Sequence, residues 1–188
     1  MLMTLACDDK PASKAQAPTP SRVNAVVAKT QTAESPDDFC DVYHSDPSKA
    51  PGFEYPALTG DPPAKATGWR WINVWATWCK PCVEEMPRLA SWETELKDSG
   101  LGDIVFLSAD DSDEIVSKFR ESHSEVPDSV RMSSADALQP WLNELGLDGS
   151  PSLPVHIFVD DAGAARCVRM GGVTDRDRGA VVGVLSGS

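Results

Sequence analysis

The chain has 188 residues, 41% of them apolar, and a formal net charge of −12. That is enough apolar material for one domain with a buried core plus an extension. The charge excludes nucleic-acid binding, because no basic stripe exists to neutralise phosphates. Five cysteines occur with a single C-x-x-C and no H-x-x-x-H, so a zinc site would lack two of its ligands and no metal is expected.

Met1–Ala6 are mostly apolar and end at Cys7. Leu5-Ala6-Cys7 resembles a bacterial lipoprotein processing site, although the apolar run is shorter than a secretory core and no basic residue precedes it. Residues 1–7 are expected to be a truncated lipoprotein signal with Cys7 as the lipid anchor; the alternative is an incidental cysteine at a frayed end. Residues 8–36 carry too little apolar surface to offset their ordering entropy and read as a flexible linker. The folded domain is expected over 37–188.

Phe53–Leu58 alternates and predicts a strand, and Trp69–Ala76, dense in aromatic and β-branched residues, a buried one. Four of the six tryptophans (Trp69, Trp71, Trp75, Trp78) fall in this region. Cys79–Leu96 has helical apolar spacing with Pro87 as a kink. Ile104–Leu107 reads as a second buried strand, and Ser112–Ser122 as a helix capped by Asp111 or Ser112. Ala135–Leu145 reads as a helix closed by Gly146. Val155–Val159 and Ala165–Met170 flank the turn Asp160-Asp161-Ala162-Gly163, and Asp175–Leu185 closes the chain as a helix. This order gives an α/β fold: a central mixed sheet flanked by helices, with an N-terminal extension.

Cys79-Lys80-Pro81-Cys82 lies where a buried strand turns into a helix. Only a thiolate attacks a disulfide. Unpaired N–H groups and the macrodipole at a helix N-terminus favour that anion, by about one pKa unit at most. Cys79, at the helix end with an exposed sulfur, is the expected nucleophile. Cys82, one turn in, is the resolving thiol that attacks the mixed disulfide. Pro81 suits the first turn, where its missing N–H costs nothing. Lys80 adds a positive charge, and Trp78 completes the shell.

The segment Trp71-Ile-Asn-Val-Trp-Ala-Thr-Trp-Cys-Lys-Pro-Cys-Val-Glu-Glu-Met-Pro-Arg-Leu89 resembles the active-site segment of TlpA/ResA-type thioredoxin-like proteins. The resemblance implies a thioredoxin-like fold over roughly residues 52–186 and an extracytoplasmic, often lipid-anchored thiol-disulfide oxidoreductase. Asn73 takes the place of the buried acid of cytosolic thioredoxins. Glu85 matches the acidic residue near the dithiol, and Pro87 the kink proline. Glu85 is expected to accept the proton of the resolving thiol; a solvated helix-face glutamate is the alternative, and Glu84 is the expected solvated neighbour. Pro154, ahead of the strand Val155–Val159, matches a cis-proline opposite the dithiol, with Pro151 the competing candidate. Leu153 would then offer its backbone to an extended substrate segment.

Once Cys79, Cys82 and Cys7 are assigned, Cys40 and Cys167 remain and are expected to form a structural disulfide. The alternatives are a buried thiol at Cys167 and an unpaired Cys40. His44, His123 and His156 share no spacing, and His156 reads as a packed strand residue. The expected activity is reduction of protein disulfides, including those of cytochrome precursors. It needs no cofactor, and a membrane partner supplies the electrons. A disulfide-introducing oxidant and a non-enzymatic metal- or partner-binding module are the alternatives.

Overall fold

The computed structural model describes residues 35–64 and 67–187. Cys7 and nearly all of the expected linker lie outside the described residues. The linker's last residue, Pro36, opens a helix, α1 (Pro36–Phe39), whose N-cap Ser35 accepts from the Asp38 N–H.

The remaining elements are β1 (Val42–Tyr43), β2 (Trp69–Trp75), α2 (Lys80–Ser99), β3 (Gly102–Ser108), α3 (Asp113–Ser122), β4 (Ser129–Arg131), α4 (Leu138–Glu144), β5 (Val155–Val159), β6 (Ala165–Met170) and α5 (Arg178–Leu185). They build one six-stranded mixed sheet in the order β1-β6-β5-β2-β3-β4. β2 pairs parallel with β3, Trp71 opposite Ile104, and antiparallel with β5, Asn73 opposite His156. Because β2 is central and covered on both faces, its residues from Trp71 onward are all buried and its burial shows no period of two.

Strand alternation still divides the side chains between two cores. Trp71, Trp75, Phe106 and Phe158 pack with α1, α2, α3 and α5, whereas Ile72, Val74, Leu107 and Ile157 pack with α4 and the segment 53–58. Asn73 and His156 belong by parity to the face that carries α2.

Three expectations are corrected. Phe53–Leu58 is not a strand: its backbone forms no ladder, with isolated bridges only at its two ends, Gly52–Ala164 and Leu58–Met132. Pro56 interrupts it by removing a ladder donor, and its backbone is satisfied piecemeal, the Glu54 carbonyl accepting from the Trp141 indole at 2.8 Å. The helix expected over Ala135–Leu145 begins as a 3-10 turn at Ala135–Ala137 before α4, and that over Asp175–Leu185 begins as one at Asp175–Asp177 before α5. Two short strands, β1 and β4, were not expected. Ser112 is the cap of α3, and Gly146 takes φ +86° after α4. Among the described residues no helix is long and apolar enough to cross a membrane.

Candidate active site

β2 delivers the chain to the dithiol, and a buried carboxylate fixes how it turns. Asp110, 3% exposed after β3, accepts from the Thr77 N–H and hydroxyl at 3.0 and 2.7 Å and from the Ser108 hydroxyl at 2.8 Å. The Cys79 N–H then donates to the Ala76 carbonyl at 3.0 Å, and Cys79 becomes the N-cap of α2. Its sulfur accepts from the Cys82 N–H at 3.3 Å. An orphan helix donor so placed against the Cys79 sulfur is one that favours an anion there once the disulfide is reduced.

Cys79 and Cys82 are joined by a disulfide. Cys82 is fully buried, and Cys79 is 4% exposed. The expectation of an exposed Cys79 sulfur is therefore corrected: in the disulfide form Cys79 belongs to the same buried cluster as Ala76, Cys82 and Met86. The exposed member is Trp78, 71% accessible. Lys80 pairs with Glu84 at 3.3 Å on the open side of α2, both well exposed. Pro81 lies in the first turn, and the helix continues through Pro87.

Glu85 is 3% exposed, on the same face of α2 as Cys82 and one turn along. Its Oε1 accepts from Asn73 Nδ2 at 2.9 Å and its Oε2 from the Val173 N–H at 2.8 Å. Such anchoring is what a buried carboxylate requires. His156, fully buried, stands 3.5 Å from Oε1 through Nε2. The Leu153–Pro154 peptide is cis, whereas Pro151 takes no part in a cis bond. Leu153 packs against the cluster containing Cys79 and Cys82. A Cβ on Gly172 would lie 3.2 Å from Glu85 Oε2 and 4.0 Å from Pro154 Cγ, so Glu85, Gly172 and Pro154 are neighbours. Cys7 lies outside the described residues. Cys40 and Cys167 form a second disulfide with a 5.6 Å Cα separation, set where β1 pairs with β6.

The sequence reading missed Asp110, Gly172 and the proximity of His156 to Glu85. An acid directly after a buried strand is a signal for Asp110. The other two depend on strand register and a loop path that no local pattern carries.

Among the described residues no three His, Cys, Asp or Glu side chains form a metal-binding group. The arrangement suits two-electron sulfur chemistry: a capped sulfur, a buried second sulfur, and an anchored carboxylate one turn behind it.

Residues 64–182 match the Redoxin family. The thiol-disulfide oxidoreductase ResA of Halalkalibacterium halodurans is 27% identical over 105 residues, 56% of this chain and 55% of that protein. The thioredoxin-like protein YneN of Bacillus subtilis is 27% identical over 137 residues, 69% of this chain and 74% of that one. The chain spans about half the length of the first ResA relatives it matches. Among solved structures, a DsbF homologue from Corynebacterium diphtheriae superimposes with a TM-score of 0.59 at 21% identity, over 77% of this chain and 91% of that one. A thioredoxin-family thiol:disulfide interchange protein from Chlorobium tepidum gives 0.52 at 21%, over 72% and 94%. The fold is thioredoxin-like.

Proposed function

The chain belongs to the Redoxin family, and from that premise we propose that it is an extracytoplasmic thiol-disulfide oxidoreductase of the TlpA/ResA type that reduces protein disulfides. The observation that carries this is the Cys79–Cys82 pair at the start of α2, with Glu85 buried behind it.

Cys79, its thiolate favoured by the Cys82 N–H, attacks a substrate disulfide and forms a mixed disulfide. Glu85 takes the proton of Cys82, which then attacks Cys79 and releases the reduced substrate. Trp78, Lys80 and Pro81 flank the attacking sulfur, while Leu153 and Pro154 supply the opposing wall, where an extended substrate segment pairs with the Leu153 backbone. The carboxylate behind Cys82 supports the reductase direction: it disfavours a thiolate at Cys82 and so adds nothing there to the stabilisation of the reduced form that marks a strongly oxidising dithiol.

The buried Cys40–Cys167 disulfide requires an oxidising compartment, which agrees with an envelope location. Lipidation of Cys7 would hold the domain at the membrane, near a partner that resupplies electrons to the disulfide form. Disulfides of cytochrome precursors are the substrates the family resemblance favours.

Equilibration of the Cys79/Cys82 couple against glutathione or dithiothreitol tests the direction. A potential of about −270 mV is expected, and one of about −120 mV would reverse it.

A further inference from the structure

The Glu85 carboxylate, when charged, offers about four lone-pair directions. Asn73 Nδ2 occupies one on Oε1 and the Val173 N–H one on Oε2. His156, the direct cross-strand partner of Asn73, governs a third. Its Nδ1 faces only donors: the Trp71 indole N–H at 3.1 Å and the Asn73 carboxamide nitrogen at 3.4 Å. Neither group accepts a hydrogen bond, so Nδ1 carries its lone pair and the ring proton sits on Nε2. An imidazolium would set an Nδ1–H against the Trp71 N–H. Nε2 has no hydrogen-bond partner in the disulfide form and lies 3.5 Å from Glu85 Oε1.

We propose that His156 is a positioning residue for Glu85: as the neutral Nε2–H tautomer it donates to Oε1 and directs the Cys82 proton onto Oε2. Oε1 is then filled by Asn73 and His156, and the one free lone pair is on Oε2, the oxygen beside Gly172 and Pro154. The inference rests on the oxidoreductase reading. In the resolving step the Cys82 S–H proton passes to Oε2. The Cys82 sulfur attacks Cys79, the Cys79–substrate S–S bond breaks as the Cys79–Cys82 bond forms, and the substrate sulfur leaves as a thiolate that is protonated by water. Over the whole cycle two electrons pass from the dithiol to the substrate disulfide. His156 keeps its proton throughout.

Two measurements on the full chain test this. Ring nitrogen NMR of ¹⁵N-histidine-labelled protein at neutral pH should show His156 as the neutral Nε2–H tautomer. An Nδ1–H tautomer or an imidazolium overturns the proposal without any variant having to fold. Single-turnover oxidation of the dithiol should slow about tenfold in His156→Leu, less than loss of the base itself. His156→Gln, which keeps an N–H donor, should recover most of that rate, and in a Glu85→Gln background the Leu and Gln variants should be equal. Failure of Gln to rescue, or an undiminished His156 effect without the carboxylate, overturns it. Absence of any exchange by the wild-type protein sinks the oxidoreductase reading instead, and leaves the tautomer result standing.

Discussion

Glu85 Oε2 accepts from the Val173 N–H at 2.8 Å, tying α2 to the loop that follows β6 across 88 positions of sequence. Through this bond the carboxylate behind the dithiol is placed by the backbone of a distant loop, in a setting where an unpaired partner is costly.

Replacing Glu85 with Gln should slow dithiol oxidation about 10²-fold, the lower range for loss of a positioned base. A carboxamide turns an NH2 toward one of two donors, Asn73 or Val173, so one bond is lost and stability should fall by about 1–3 kcal/mol. Stopped-flow fluorescence and urea unfolding measure the two effects. An unchanged rate would remove Glu85 from the mechanism.

Gly172→Ala is a milder probe of the same oxygen. The added methyl sits 3.2 Å from Oε2, closer than ordinary van der Waals contact, so the carboxylate must shift. Gly172 has no left-handed backbone to lose, and the fold should survive. Exchange should drop several-fold with Tm changed by only a few degrees, about what 1 kcal/mol costs a domain of this size. Equal loss of rate and of folded protein would contradict the placement.

The second disulfide should act on stability alone. Cys40 and Cys167 are 127 positions apart, and a loop of that length is worth about 5 kcal/mol in the chain-entropy picture, often less in practice. The double variant Cys40→Ser/Cys167→Ser should unfold at markedly lower denaturant and lose the pinning of α1 and β1 to β6. Exchange through Cys79 should persist wherever the variant remains folded.

Two carboxylates should give opposite pH signatures. The hydrogen bond from Arg131 holds Asp113 below its usual pKa, with its charge and Thr59 assisting and slight burial opposing. Its contribution is therefore present above the unfolded pKa of about 3.9 and lost as pH falls through the lower folded value. Burial pushes Asp103 up, only partly offset by the charges of Arg70 and Lys97. Its charged form thus costs stability as pH rises through the folded value, and nothing below about 3.9. At neutral pH Asp113→Asn should lower Tm and Asp103→Asn should raise it, and both differences should vanish in acid. Calorimetry across pH checks both signs.

The layout around the dithiol was legible because its signals are local: a β-branched and aromatic run, C-x-x-C with an internal proline, then helical spacing. Pro154 was legible through the family resemblance, its place before a buried strand choosing it over Pro151. What stayed hidden depends on distance in sequence. His156 meets Glu85 only because β2 and β5 pair with Asn73 opposite His156, and β5, buried on both faces, shows no alternation to betray which side that histidine takes. β1 and β4 hold two and three residues and exist through pairing with β6 and β3, not through propensity. The alternation of Phe53–Leu58 misled because Pro56 blocks a ladder while the apolar side chains still pack on the sheet.

The central claim is that Cys79 attacks and Cys82 resolves, and the most direct measurement is reduction of insulin disulfides by the wild type, Cys79→Ser and Cys82→Ser proteins. Cys79→Ser should fall to the uncatalysed background, and Cys82→Ser should accumulate a stable mixed disulfide with its substrate. Full activity in Cys79→Ser would contradict the account.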